Sequence, residues 1–134
     1  MKKVLLFTTV FFMLVSMTSC KKLLGLDPES LLTKEPWQGN KIERYENGVF
    51  KVFDDVPTWN LEFDKETHYF KGDFYYESNL EGRWAYDEEN NLIILNFNGG
   101  NRIEWKIKVL KKNELVVSWF RPSQVEIRLY FKRE

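Results

Sequence analysis

Apolar and polar residues alternate strictly along residues 102–109 (RIEWKIKV), where every second side chain is apolar. The same period of two recurs over residues 58–63 and 125–132. Successive side chains of a β-strand point to opposite faces, so this period predicts strands with one dry face and one wet face. Each segment is therefore expected to lie half buried in an antiparallel sheet.

Turn-forming residues separate these segments at short spacings. Asn47 and Gly48 indicate a two-residue hairpin turn, because both tolerate the positive φ angles that such a turn needs. Further turns are predicted at 64–66, 87–91, 98–101, 111–113 and 122–123. The strands between them number eight or nine and are predicted at 38–46, 49–53, 58–64, 67–76, 81–87, 91–98, 101–111, 114–121 and 124–133.

The fold class follows from what can cover these strands. No helical pattern long enough to cover a sheet interrupts them, so their apolar faces must be buried against one another. A closed sheet achieves this and also removes exposed edges. We therefore predict an all-β fold, an antiparallel up-and-down barrel, with a β-sandwich of the same strands as the alternative.

The first nineteen residues have the parts of an export signal. Lys2 and Lys3 precede an apolar core at 4–15 (VLLFTTVFFMLV), and small residues follow up to Cys20. As a helix, residues 4–19 would span about 24 Å, less than the roughly 30 Å hydrocarbon core of a bilayer. The pattern thus predicts a signal peptide at 1–19 rather than a transmembrane anchor.

The end of that signal carries the only cysteine of the chain. Residues 17–20 (MTSC) resemble the lipobox of bacterial lipoproteins, although Met17 stands where that motif favours Leu. The resemblance implies that the Cys20 sulfur receives diacylglycerol and becomes the mature N-terminus. The alternative is a free thiol, an unusual choice in an oxidising compartment. Two or more acyl chains would hold the protein durably on the membrane.

Removal of residues 1–19 leaves 115 residues with 18 basic and 20 acidic side chains, a net charge of about −2. This length predicts one domain, at 37–134. The mixed, nearly neutral charge gives no basic patch for nucleic acid. With Cys20 acylated, neither a disulfide nor a thiolate metal site could form.

Residues 20–36 are predicted to be the lipid anchor and a tether with a short helical turn. Asp27 can cap that turn and Pro28 can occupy its first position. The turn either plugs one end of the domain or belongs to a loosely ordered spacer. Surface-exported lipoproteins of the Bacteroidetes tend to carry acidic residues directly after the cysteine, whereas Lys21 and Lys22 follow here. An outer-membrane location facing the periplasm is therefore expected.

Short motifs along residues 31–134 resemble the lipocalin-like lipoproteins of the Bacteroidetes, which are lipid-anchored barrels of the calycin type. The motifs are Trp37, 41–43 (KIE), Asn47-Gly48, 61–63 (LEF), 82–84 (GRW), 92–95 (LIIL) and 129–132 (LYFK). Residues 37–39 (WQG) reverse the Gly-x-Trp order with which lipocalins usually open. The resemblance implies a barrel and an envelope location, and it brings no catalytic residues.

Aromatic residues on the predicted dry faces suggest a binding function. An eight-stranded barrel is either filled by side chains or holds one small ligand. If the dry faces point inward, the candidate ligand-binding residues are Trp59, Phe63, Trp84, Tyr86, Trp105 and Trp119, with Leu61 and Ile107 beside them. Large aromatic walls suit a small hydrophobic or amphipathic ligand. The competing interpretation of each residue is a packed core.

A second hypothesis is an accessory lipoprotein with a solid barrel that docks another envelope protein. Tyr75, Phe120 and Tyr130 lie on or near predicted wet faces and could form such a surface. An enzyme is not expected. His68 is the only histidine and is interpreted as an ordinary strand residue, no serine lies in a Gly-x-Ser-x-Gly setting, and no phosphate loop or cofactor motif occurs.

Overall fold

The computed structural model describes residues 27–54, 59–74, 77–120 and 125–133. The predicted signal peptide, Cys20, the start of the tether and Tyr75 lie outside the described residues. One helix and nine strands occur in the described ranges. They are α1 (Pro28–Thr33), β1 (Trp37–Glu46), β2 (Val49–Asp54), β3 (Trp59–Phe63), β4 (Tyr69–Phe74), β5 (Glu77–Asp87), β6 (Leu92–Phe97), β7 (Arg102–Leu110), β8 (Glu114–Phe120) and β9 (Glu126–Lys132).

Eight of the strands close an antiparallel barrel. From β3 to β9 each strand pairs with the next along the chain, and β1 closes the ring between β3 and β9. The β1–β9 seam contains six residue pairs, whereas the β1–β3 seam contains three, from Trp37 to Gly39. The predicted barrel is thus confirmed over the sandwich alternative.

The ninth strand, β2, is additional to the barrel. It forms a hairpin with β1 through the Asn47-Gly48 turn, in which both residues have positive φ as the sequence predicts. β2 and β3 both pair with the same edge of β1. β3 pairs with the first half of β1, and β2 pairs with its second half. The β1–β2 hairpin therefore lies at one end of the barrel, which we call the open end. The opposite end, where β1 begins and β9 finishes, we call the base.

The helix α1 covers the base. Asp27 caps it by accepting a hydrogen bond from the Ser30 backbone N–H at 3.3 Å, and Pro28 occupies its first turn. Leu32 is fully buried, and its carbonyl oxygen accepts a hydrogen bond of 3.0 Å from the Trp37 indole N–H. Of the two interpretations of this turn, the structure has it packed as a plug.

An arginine completes the base from the other end of the chain. The Arg133 guanidinium stacks on the Trp37 ring at 3.9 Å and donates hydrogen bonds to the carbonyl oxygens of Lys112, at 2.6 Å, and Glu35, at 3.2 Å. Burial lowers the pKa of Arg133, which stays cationic at neutral pH. Trp37 therefore packs the base even though its order relative to Gly39 is reversed.

Three glycines let large side chains meet inside the barrel. Gly39 lies between Trp59 on β3 and Phe131 on β9, whose ring centroids are 4.7 Å apart. Gly82 lies in the same way between Phe70 and Phe97, at 5.3 Å. At Gly39 the Trp59 ring covers the space that a side chain would occupy, whereas at Gly82 an added Cβ atom would meet the backbone of Asn96 and Phe97, so a glycine is required at both positions.

A third glycine, Gly72, lies between Leu61 and Leu80. A Cβ atom at Gly72 would approach the Asn60 carbonyl oxygen to 2.3 Å, so backbone crowding rather than a ring excludes a side chain there.

Three local predictions are wrong. The predicted strands 67–76 and 81–87 leave residues 77–80 outside the sheet, whereas β5 begins at Glu77, which opposes Phe74 of β4. A bulge after Ile107 shifts the register of β7, so Leu110 rather than Val109 occupies the interior, opposite Leu115. His68 is not a strand residue, because it precedes β4 and has a φ of 56°. A bulge inserts one extra residue and so breaks the period of two. No particular residue type marks that extra residue, so the sequence does not reveal the bulge.

Candidate functional site

Four of the six candidate ligand-binding residues belong to the core. Trp59, Phe63, Trp84 and Trp105 are each at most 3% exposed. The Trp59 ring contacts Phe131 at 4.7 Å, the Phe63 ring contacts Trp84 at 5.4 Å, and both contacts are edge-to-face. The geometry is the one that aromatic pairs prefer. Trp105 also contacts Phe131, at 5.8 Å, so these four side chains pack against other rings in the barrel interior.

The Trp84 indole also links the core to the β3–β4 turn. Its N–H donates to the Asp64 carbonyl oxygen at 2.9 Å, and its ring meets the His68 ring edge-on at 5.1 Å. The Asp64 carboxylate accepts hydrogen bonds from both the hydroxyl and the backbone N–H of Thr67. These bonds, the hydroxyl bond first, hold the pKa of Asp64 below its ordinary value. Asp64 and His68 thus stabilise a turn.

Tyr86, the fifth candidate, lies at the base rather than the open end. Its side chain packs against the core, and its hydroxyl donates to the Asn91 side-chain oxygen at 3.2 Å. Burial, together with the charges of Glu88 and Asp87, raises the pKa of Tyr86. Its position near α1 makes it part of the plugged end.

Trp119, the sixth candidate, lies at the open end. It opposes Trp105 on β7 and Ile127 on β9, which places it on the interior face, yet it is only partly buried. Phe97 and Ile103 occupy the corresponding ends of β6 and β7 and are also partly buried against the core. The sequence analysis did not single out these two, although Ile103 lies on the dry face of the alternating segment.

A charged pair lies at the rim of the same end. Arg44 opposes Ile127 across the β1–β9 seam, so it is on the interior face. Its Nε atom is 3.4 Å from a carboxylate oxygen of Glu46. The open end therefore combines an apolar floor with a polar rim. The sequence did not predict that Arg44 faces the interior. That position depends on the register of β1 against β9, which pairs residues far apart in the chain.

The outer wall beside the hairpin is apolar. Tyr45, Val52 and Phe120 are 46%, 60% and 61% exposed. The Phe50 ring lies under the Arg128 guanidinium at 3.8 Å and meets Tyr45 edge-on at 5.2 Å. The exposure predicted for Phe120 is confirmed.

Tyr130, in contrast, belongs to a charged network on the same wall. Lys41 lies over its ring at 4.2 Å. A hydrogen bond from the Tyr130 hydroxyl lowers the pKa of Glu43, with Lys41 as a further cause. Tyr130 is therefore tied to its neighbours and is only half buried.

A groove of about 320 Å³ with both polar and apolar lining residues lies over β3, β4 and β5. Glu62, Lys71, Asp73, Asn79 and Glu81 line it. Lys71 is 3.6 Å from Glu62, and Asp73 accepts a hydrogen bond from the Asn79 backbone N–H.

The described residues contain no group of three or more His, Cys, Asp or Glu side chains placed to hold a metal ion. Over the same ranges, no helix has both the length and the apolar character needed to span a bilayer.

No protein-family model matches the chain, and no curated protein matches it. Among solved structures, a redesigned β-barrel is similar, with a TM-score of 0.48 and 10% sequence identity. The similarity covers 79% of this chain and 94% of that one.

Proposed function

We propose that the chain is a lipid-anchored protein of the bacterial outer membrane, held by acyl chains on Cys20 and facing the periplasm. The export signal at 1–19, the lipobox-like residues 17–20 and Lys21-Lys22 support this location. The resemblance to lipocalin-like lipoproteins of the Bacteroidetes is consistent with it. Residues 20–26 could reach at most about 25 Å, so the plugged base would face the membrane and the open end would face away.

The proposed activity is the binding of a small amphipathic ligand at the open end, without a chemical step. The observation that carries it is the difference between the two ends of the barrel. At the base, Leu32 of α1 and Trp37 of β1 are fully buried, and the Arg133 guanidinium stacks on the Trp37 ring. At the open end, interior-facing Trp119 and Ile103 remain only partly buried.

The side chains at the open end suggest what the ligand would be. Phe97, Ile103 and Trp119 offer an apolar surface, and Arg44 with Glu46 offers charged hydrogen-bonding groups at the rim. Ligand sites commonly combine an apolar lining with a few polar groups that orient the ligand. Because the rings below are in mutual contact, a ligand would occupy the upper part of the barrel rather than its centre.

A fluorescent probe tests this site. The full-length protein in mild detergent would be titrated with N-phenyl-1-naphthylamine and then with dodecanoate as competitor. We expect saturable binding that Trp119→Ala weakens about tenfold, since an indole contributes roughly 1.5–3 kcal/mol of apolar contact. Tyr86→Phe, an aromatic change at the base, is the matched control and should leave binding unchanged. Equal affinities of the wild type and Trp119→Ala would contradict the proposal.

Labelling with radioactive palmitate tests the anchor independently. We expect Cys20→Ser to abolish incorporation and to release the protein from the membrane fraction. Ser19→Ala keeps a small residue before the cysteine and should retain both. Label in the Cys20→Ser protein would show that acylation occurs elsewhere.

A second candidate function is favoured by exposed apolar residues on the outer wall. Tyr45 on β1 and Val52 on β2 are exposed on neighbouring strands, and Phe120 is exposed on β8, with β9 between. Contiguous exposed apolar residues on a soluble domain often mark contacts with other proteins. In this case the packed barrel would serve as a docking module for another envelope protein.

A further inference from the structure

The strand β2 has a free edge. Within the described strands, β2 pairs with β1 alone, and the barrel closes through β1 and β3 without it. On its other side the backbone N–H and C=O groups of β2 have no strand to pair with among those described. Such an edge is a template on which a strand of another chain can pair.

The side chains of β2 do little to protect that edge. Val49 and Val52 are 54% and 60% exposed, and Phe50 is half buried. Natural proteins usually cover edge strands, shorten them or place charges and prolines on them. β2 carries a single lysine, Lys51, among its described side chains. An apolar edge outside the barrel is better explained by a partner strand than by the needs of the fold.

The two faces of β2 differ in chemistry. Phe50 opposes Tyr45 and Val52 opposes Glu43, which puts both on the outer wall. Lys51 opposes Arg44 on the other face, where Glu46 lies 3.4 Å from Arg44. Among the described side chains of β1 and of residues 49–52, the charged groups on that face are therefore two cations and one carboxylate. Directly opposite residues of neighbouring strands lie about 5 Å apart and attract or repel according to charge.

These positions specify the strand that fits. A residue placed opposite Lys51 should be acidic, and the residues before and after it, which point to the outer wall, should be apolar to contact Phe50 and Val52. A second copy of β2 fits poorly. An antiparallel pair that aligns Phe50 with Val52 of the other copy would place the two Lys51 side chains opposite each other, and like charges in that position are destabilising.

We propose that the free edge of β2 binds an extended segment of another envelope protein in which an acidic residue is flanked by apolar residues. The segment would add a strand to the sheet, with backbone hydrogen bonds supplying affinity and Lys51 supplying selectivity. This inference rests on the second candidate function, whose partner chemistry it specifies. It does not require a ligand at the open end.

Two synthetic peptides test the proposal on the full-length protein in detergent. Their cores are Val-Glu-Val and Val-Lys-Val within the same Ser-Thr flanks. We expect the wild type to prefer the Glu peptide by about fivefold and Lys51→Glu to prefer the Lys peptide, as an attractive cross-strand pair becomes repulsive. Lys108→Glu makes the same charge change at an exposed position of β7 and should keep the wild-type preference.

Hydrogen exchange locates the peptide. Bound Glu peptide should slow exchange of the amides of residues 49–54 and leave those of β6 unchanged. The proposal is overturned if neither peptide binds, if protection appears elsewhere, or if Lys51→Glu does not change the preference. A dimer through β2 in sedimentation would overturn it too. Trp119→Ala should not affect peptide binding, so an absence of ligand binding at the open end can be told apart from an absence of peptide binding at β2. If neither peptide binds, the proposed docking of a partner through this edge also loses its support.

Discussion

Replacement of Gly39 by alanine tests how the barrel interior is packed. A Cβ atom at this position would lie 2.2 Å from Cε2 of Trp59 and 2.5 Å from its Cδ2. Carbon atoms in contact normally lie about 3.5–4.0 Å apart, so the ring would have to move by more than 1 Å. Gly39 does not have a positive φ, so the effect is steric rather than a matter of backbone conformation.

The ring has little room to move. Trp59 is 3% exposed and its ring is held against Phe131 at 4.7 Å. Overpacking of a well-packed core costs typically 1–3 kcal/mol, and we expect Gly39→Ala to lie at the upper end, about 3 kcal/mol. For a domain of this size that corresponds to a fall in Tm of roughly 10 °C or more.

Urea unfolding of the full-length protein, followed by far-UV circular dichroism, measures this loss. Gly99→Ala is the matched control, because nothing lies within 4 Å of its added Cβ, and it should change the free energy of unfolding by less than about 0.5 kcal/mol. In a Trp59→Leu background, Gly39→Ala should cost at least about 1 kcal/mol less than in the wild type. A cost within about 0.5 kcal/mol of zero, or the same cost in both backgrounds, would refute the packing argument.

Two further substitutions probe the base and the β3–β4 turn. Arg133→Met removes the stack on Trp37 and two hydrogen bonds to backbone carbonyl oxygens. Chemical unfolding should show that the free energy of unfolding falls by about 2–4 kcal/mol. A fall of less than about 0.5 kcal/mol would mean that α1 and Trp37 seal the base without Arg133. Because hydrogen bonds from Thr67 depress the pKa of Asp64 in the folded state, its carboxylate contributes stability above the unfolded pKa of about 4, and this contribution is lost as the pH falls through the folded value. Asp64→Asn should therefore be less stable than the wild type at pH 7, and the difference between their unfolding midpoints should shrink below about pH 4. Glu66→Gln is the control in the same turn. A difference that does not depend on pH, or one equal to that of Glu66→Gln, would contradict this role of Asp64.

Much of the strand pattern was readable because it depends on local chemistry. The Asn47-Gly48 turn and the alternation in β7 and β9 require only the side-chain period and the φ preferences of single residues. The capped start of α1 was readable for the same reason, since Asp27 and Pro28 act within one turn. The bulge after Ile107 was not, because it inserts a residue without changing composition.

The candidate site was less predictable. The period of two correctly placed Trp59, Trp84 and Trp105 on the interior face, but whether an interior ring contacts a ligand or another ring depends on what stands opposite. Gly39 decides this for Trp59 by making room for its ring beside Phe131. Position along the barrel matters as well. Tyr86 and Trp119 look alike in sequence, yet one is at the plugged base and the other at the open end.

The sequence by itself determined most of the strands, most of their dry and wet faces, and the lipobox-like signal around Cys20, because each depends on residues close together in the chain. The tertiary structure decided the rest. Only strand pairing showed that β1 contacts β3, β2 and β9, which leaves β2 outside the barrel with one edge that no described strand pairs. Only packing showed that Trp37, Leu32 and Arg133 plug one end, whereas the interior-facing side chains of Trp119 and Ile103 at the other end are only partly buried. Both outcomes depend on contacts between residues far apart in sequence, which no local pattern encodes.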